Sequence, residues 1–183
     1  MVEAVLAGFA PLARADARVL VLGSMPSAAS LAAGEYYAHP RNAFWPIMAR
    51  LFGFDSALPY AARAAALAEA GVAVWDVLGA CRRAGSLDSA IEPSSMVVND
   101  FAAFFAAHPH LTRIFANGGT AAELFRRRVP AAAPQPGLVE CRRLPSTSPT
   151  NARLRFAEKL EAWRIVAAGV SPAPRHAELD HAR

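Results

Sequence analysis

"ARVLVLGS", residues 17–24, runs apolar, mostly β-branched and leucine side chains straight into a glycine. An unbroken apolar run that short, closed by Gly23, reads as a strand buried on both faces, as in a parallel sheet. The same signature recurs in "VAVWDVL" (72–78), "TRIFANGG" (112–119) and "GLVECRRLPSTSP" (137–149), the last passing from strand into loop. Between these lie helical stretches. "NAFWPIMARLFG" (42–53) must keep Pro46 in its first turn, and "PYAARAAALAEAG" (59–71) is stopped by Gly71. "NDFAAFFAAHP" (99–109) begins with an asparagine cap, and "TAAELFRRR" (120–128) follows the third strand. In "TNARLRFAEKLEAWRIVAAG" (150–169), Phe156, Leu160, Trp163 and Ala167 recur on one face. Strands alternating with helices predict an α/β fold, a three-layer α/β/α sandwich around a central, mainly parallel four-stranded sheet.

The chain has 183 residues. That suits a single domain, expected over 1–170, and such a domain buries roughly 70% of its unfolded surface. Residues 171–183, rich in proline and polar side chains without periodicity, read as a loose tail. No apolar run approaches the ~18 residues of a membrane span, and the opening "MVEAVLAGFAPLARADA" lacks the basic start and long apolar middle of a signal peptide. Cys81 and Cys141 stand far apart, which suits reduced thiols in a cytoplasmic protein. The five histidines fall in no zinc-binding spacing, so no metal is expected. A net charge of +4, carried mostly by arginine, permits an anionic partner without demanding one.

In folds of this class ligands sit beyond the carboxyl ends of the strands. Four segments should therefore meet at one edge: "GSMPS" (23–27), "DVL" (76–78), "NGG" (117–119) and "LPSTSPTN" (144–151). "GSMPS" offers backbone N–H groups to a ligand, or is an ordinary strand-to-loop turn. It is neither a dinucleotide fingerprint nor a P-loop. In "EYYAHPRNAFW" (35–45) aromatic rings surround His39 and Asn42. Such rings stack on nucleobases, or they are core and Asn42 caps the helix beginning at Ala43. Asp76 either reads a donor on a ligand edge or caps a turn. Asn117 and Gly118 precede a helix whose N–H groups suit a phosphate, or they form a tight turn. In the last loop, prolines stiffen a run of small hydroxyl residues, a geometry for gripping phosphates or pressing into a groove. Arg142 and Arg143 stand beside it, placed to touch a nucleic-acid backbone. Nucleophilic and paired-carboxylate chemistries find no support: there is no GxSxG elbow and no evident carboxylate pair.

Taken together, "LGSMPS", "YYAHPRNAFW" and "LPSTSPTN" resemble the motifs of the uracil-DNA glycosylase superfamily, over about residues 18–165. The superfamily's first motif usually carries an Asp or Asn that positions the attacking water; Ser24 and Met25 stand in that place here. The form "GSMPS … YYxHPxN" is similar to the hypoxanthine-DNA (DNA-deoxyinosine) glycosylase branch, whose important catalytic asparagine maps onto Asn42. The resemblance implies a base-excision enzyme acting on DNA containing deaminated bases. It would flip the lesion, hydrolyse the N-glycosidic bond with a water positioned by Asn42, and leave an abasic site. It implies base contacts from Ser24, Met25, Pro26 and Ser27, a stacking platform in Tyr37, and further base contacts from Asp76 and from His39, the last equally able to be structural. DNA contacts are expected from Asn117, Gly118, Arg142, Arg143, Ser146, Thr147, Ser148 and Pro149. No cofactor is required, and a monomer is expected. Because the matched motifs carry no lysine nucleophile, a monofunctional enzyme is expected. A uracil or thymine-mismatch glycosylase, and a noncatalytic nucleic-acid-binding domain, are the alternatives.

Overall fold

The structure is a computed structural model, and it describes residues 4–129 and 141–170. Strands β2 (Val19–Gly23), β3 (Val72–Asp76), β6 (Arg113–Asn117) and β7 (Arg142–Leu144) form a four-stranded sheet in the order β3-β2-β6-β7. All three pairings are parallel. All five residues of β2 and of β3 are buried, as continuous apolar runs require. Helices α2 (Phe44–Phe52), α3 (Tyr60–Glu69) and α6 (Phe156–Val170) contact one another and one face of the sheet. Helices α4 (Phe101–Ala107) and α5 (Gly119–Arg128) lie together on the other, where Trp75 packs on Phe101 and Phe104, and Phe101 on Phe125. The expected three-layer sandwich is the observed one. At Gly169 α6 comes so close that an added Cβ would lie 2.9 Å from Val19 Cγ2.

Several local expectations are corrected. The run 72–78 is not one strand: β3 ends at Asp76, and β4 (Leu78–Cys81) leaves for a second, antiparallel sheet with β1 (Leu6–Ala7) and β5 (Val97–Val98). Apart from Asp76 the run is apolar throughout, so no periodicity marks the break. Asn99 does not cap α4. Asp100 does, accepting from Ala103 N, while the Asn99 amide donates to the Asp76 carbonyl. The last helix starts at Phe156 rather than near Thr150, and its buried face holds Lys159, Trp163 and Val166, with Phe156 exposed. A short helix α1 (Ala28–Ala33), capped by the Ser27 side chain and ended by Gly34 at φ 69°, follows β2 without having been expected. The chain N-terminal to β2 runs antiparallel along the outer edge of β3, Leu12 exchanging both backbone hydrogen bonds with Val74. It covers what would otherwise be an open sheet edge. Residues 137–140 of the fourth predicted strand and the expected tail, 171–183, lie outside the described residues.

The strand order reverses between β2 and β6, so their carboxyl ends, Gly23 and Asn117, flank the crevice where sheets of this kind receive ligands.

Candidate active site

A cavity of about 150 Å³ opens at that crevice. Ser24, Met25, Pro26, Ser27, Tyr37, Asn42, Asp76, Asn117, Ser146, Thr147 and Ser148 all line it. Three of the four strand-end segments, with Asp76 from the remaining one, thus meet around one space. His39, Gly118, Arg142, Arg143 and Pro149 do not line it. His39 accepts at Nδ1 from Arg41 N (3.1 Å). Arg142 and Arg143 are exposed on β7, the Arg143 guanidinium lying over Gly119 at the start of α5. Gly118, at φ 101°, holds the turn into α5 in a conformation that favours glycine.

The wall at Tyr37 is conformationally constrained. Tyr37 has φ 56°, the only non-glycine in the left-handed region among the described residues. A bulky side chain pays for that conformation in strain and holds it only where its surroundings enforce it. Trp45 Nε1 donates to Tyr36 O (2.8 Å), Tyr36 Oη donates to Ala10 O (3.0 Å), and Ala38 N donates to Ser30 Oγ (3.2 Å). Both neighbours of Tyr37 are therefore fixed. Its ring stacks on Phe44, centroids 4.0 Å apart and planes 25° from parallel. Its hydroxyl is buried without a hydrogen-bond partner.

Asn42 sits where this wall meets α2. Its N–H donates to His39 O (2.8 Å) and its Oδ1 accepts from Phe44 N (3.0 Å). Asn42 is not the cap expected of it: α2 begins at Phe44 with Ala43 as its N-cap, and Asn42, one residue further out, steadies the turn into the helix through Phe44 N. An amide oxygen has two lone pairs and its nitrogen two donors, so that bond leaves most of the group's capacity to the cavity it lines.

The opposite wall, 145–151, is tied down from beneath. Asn117 donates through Nδ2 to Thr147 Oγ1 and accepts at Oδ1 from Thr147 N, each at 2.8 Å. Thr147 O accepts from Ala43 N (3.0 Å), which joins this loop to the residue beside Asn42. Trp163 Nε1 donates to Pro145 O (2.9 Å), and Asn151 Nδ2 to Ser146 O (3.1 Å). Lys159, the chain's one lysine, gives its ammonium to Asn151 O (2.9 Å), and burial holds its pKa below the ordinary lysine range. The residues that set this loop's shape come from β6 and α6, and only Asn117 among them was singled out by its position in the sequence.

The floor carries the site's charge. Asp76, 4% exposed, approaches the β2 backbone so closely that a Cβ at Gly23 would overlap its Oδ1. Its Oδ2 is buried without a hydrogen-bond partner. Burial, reinforced by neighbouring Asp88 and opposed by Arg83, pushes its pKa up to about 7. The Tyr37 phenol is likewise raised, by burial first and then by Asp76. Because the native state holds the Asp76 proton up to a higher pH than the unfolded chain does, folding is favoured at low pH by this group. Stability is lost as pH climbs from about 4 to about 7, by at most a few kcal/mol. In Asp76→Asn that slope should vanish from urea denaturation curves measured across the interval; an unchanged slope would place the titration elsewhere.

Sequence reasoning missed the segment "RRAGSLDSA" (82–90), which folds across "GSMPS". Arg83, 4% exposed, donates to Pro26 O and through Nε to Gly85 O, Ser86 Oγ accepts from Ala28 N (2.9 Å), and Ser24 Oγ donates to Asp88 Oδ1 (2.7 Å). Ser86, Leu87 and Asp88 line the cavity. The available signal was an Arg and an Asp in a Gly- and Ser-bearing stretch soon after a strand's carboxyl end. Glu35, by contrast, faces Arg63 at 3.9 Å and does not line the cavity. Among the described residues no group of three or more His, Cys, Asp or Glu is placed to hold a metal ion, and no helix is long and apolar enough to cross a membrane.

The model of the uracil DNA glycosylase superfamily matches residues 10–167. A hypoxanthine DNA glycosylase of Methanosarcina barkeri is 32% identical over 117 residues, 63% of this chain and 73% of the relative. A hypoxanthine DNA glycosylase of Methanosarcina acetivorans matches with the same identity and coverage. The solution structure of a candidate uracil DNA glycosylase from Methanosarcina acetivorans superposes with a TM-score of 0.74 at 29% identity, over 91% of this chain and 99% of that one. The chain belongs to the uracil DNA glycosylase superfamily. It is a DNA glycosylase, and DNA is its substrate.

Proposed function

We propose that the enzyme excises hypoxanthine from DNA containing deoxyinosine, using a water positioned by Asn42. The observation that carries this reading is Asn42 itself: it lines the cavity together with the "GSMPS" turn and Tyr37. The two relatives at 32% identity, each a hypoxanthine DNA glycosylase, support the choice of base.

The lesion nucleotide leaves the stack at a cost of a few kcal/mol, smallest where pairing is already weakened. Its base slides against the open side of Tyr37, which Phe44 backs from behind. Backbone groups of Ser24 to Ser27 meet the base edge, and the buried Asp76 carboxyl, protonated near neutral pH, donates to it. As the C1′–N9 bond breaks, positive charge grows on the sugar and negative charge on the purine. Fixed donors around the purine stabilise that charge without reorganising. Ser146 and Ser148, on a loop held by Asn117, Lys159 and Trp163, grip phosphate and help fill the gap left by the base. Arg142 and Arg143 extend the contact along the backbone. Lys159 is engaged with loop carbonyls away from the cavity, which supports simple hydrolysis to an abasic site over a lysine-linked intermediate.

The test is a panel of oligonucleotides carrying inosine, uracil, xanthine or a thymine mismatch, read by alkaline cleavage after single-turnover reaction. Inosine is expected to be cut fastest. Uracil cut faster than inosine would overturn the choice of base.

A further inference from the structure

We propose that Asp88 is a catalytic residue, the carboxylate that orients the attacking water together with Asn42 and takes its proton. The inference rests on the glycosylase reading above and assigns a role which that reading leaves unfilled. Hydrolysis with a neutral water is helped by a nearby proton acceptor, and an amide is no base. Among the described residues two carboxyl groups line the cavity, Asp76 and Asp88. Asp76 is almost wholly buried, suited to holding a proton and giving a hydrogen bond. Asp88 differs in every respect. Its side chain is 32% exposed, it accepts from Ser24 Oγ at 2.7 Å, and Arg83 Nη1 stands 4.0 Å from the same oxygen, Oδ1. Among the described residues a hydroxyl donor and a buried guanidinium both meet Oδ1, leaving Oδ2 for a water.

The position is built rather than incidental. The Asp88 segment is fastened at alternate residues to the "GSMPS" turn and the start of α1: Asp88 to Ser24, Arg83 to Pro26, and Ser86 to Ala28. Arg83 has no exposed side-chain surface, so its charge is committed to this junction. The groups in contact with Asp88 are thus Ser24 after β2 and Arg83, and its charge also acts on Asp76 at the end of β3 and Cys81 at the end of β4. The two carboxyls thus sit differently in one site, Asp76 shut in beneath the cavity and Asp88 partly open to it, where it can reach a water. In the step itself, the water oxygen bonds to C1′ and the C1′–N9 bond breaks, its electron pair departing on the purine. The water's proton goes to Asp88 and is passed on to the released base or to solvent.

The experiment is single-turnover cleavage of inosine DNA by wild type, Asp88→Asn, Asp88→Glu and Asp76→Asn across pH 5–9, with DNA affinity and thermal unfolding measured on each variant. Asp88→Asn keeps an acceptor for Ser24, so the junction should survive. Its cleavage rate is expected to fall about 100-fold with affinity near wild type, and the acid limb of the rate profile to flatten. Asp88→Glu should restore part of the rate and the limb, and Asp76→Asn should keep the limb. A rate within about twofold of wild type, or a reduced rate with the acid limb intact, would overturn the assignment and leave Asp88 a structural tie. Should the wild type prefer uracil, the substrate reading fails separately, and the Asp88 comparison is made on uracil DNA.

Discussion

Asn42→Ala is expected to abolish nearly all base excision, with a single-turnover rate on inosine DNA down about 1,000-fold, while leaving DNA binding within severalfold of wild type. The side chain has two duties, and their costs differ. As an acceptor for Phe44 N it steadies the entry to α2, and losing such a hydrogen bond costs roughly 1 kcal/mol of stability. In the proposed mechanism its amide also orients the water, and losing that is expected to raise the barrier by ~4 kcal/mol. Thermal unfolding and cleavage measured on the same preparation separate the two. A rate loss no larger than the stability loss would reduce Asn42 to a structural tie at the entry to α2.

Trp163→Ala carries the largest expected effect on stability. The indole is wholly buried, edge-on to Phe44 with centroids 6.1 Å apart, and its Nε1 holds Pro145 O. Truncating a buried tryptophan costs ~3–5 kcal/mol, and a stranded carbonyl adds ~1–3 kcal/mol. Against a total of ~5–15 kcal/mol that is a large share, so the urea midpoint should fall steeply. Trp163→Phe is the informative companion. It keeps most of the volume and removes the hydrogen bond, for ~1 kcal/mol. Because that bond anchors the loop bearing Ser146 to Ser148, DNA affinity should drop more than stability does. Affinity unchanged in Trp163→Phe would show that the loop holds its shape without α6.

The frame of this molecule was legible because parallel strands announce themselves. "VLVLG" and "RIFAN" are short apolar runs ending at turn residues, and both lie in the sheet. The cavity was legible for a topological reason: strand ends far apart in sequence converge at the crevice between β2 and β6. What escaped was decided by side chains reaching across that frame. Nothing local distinguishes Lys159 from a solvated helix charge, yet it is buried beneath the active-site loop. Phe156 looked like the start of the apolar face of α6 and is 42% exposed, since the helix is rotated to bring Lys159 and Trp163 to the loop. Asp88 and Arg83 lie in a stretch without periodicity, and only the folded chain shows that it returns to Ser24 and Pro26. Asp76 was visible as a carboxyl at a strand end, but its burial against Gly23 and its raised pKa, to which Asp88 adds, depend on segments distant in sequence.

The central claim is that the cavity between "GSMPS" and the 145–151 loop is a hypoxanthine-excising site worked by Asn42. It is tested most directly by single-turnover cleavage of one duplex carrying inosine and a matched duplex carrying uracil, each with wild type and Asn42→Ala. Wild type is expected to give rapid alkali-sensitive cleavage at inosine and slower cleavage at uracil, and the variant almost none at inosine. Full inosine activity in Asn42→Ala, or a wild type that binds both duplexes and cuts neither, would contradict it.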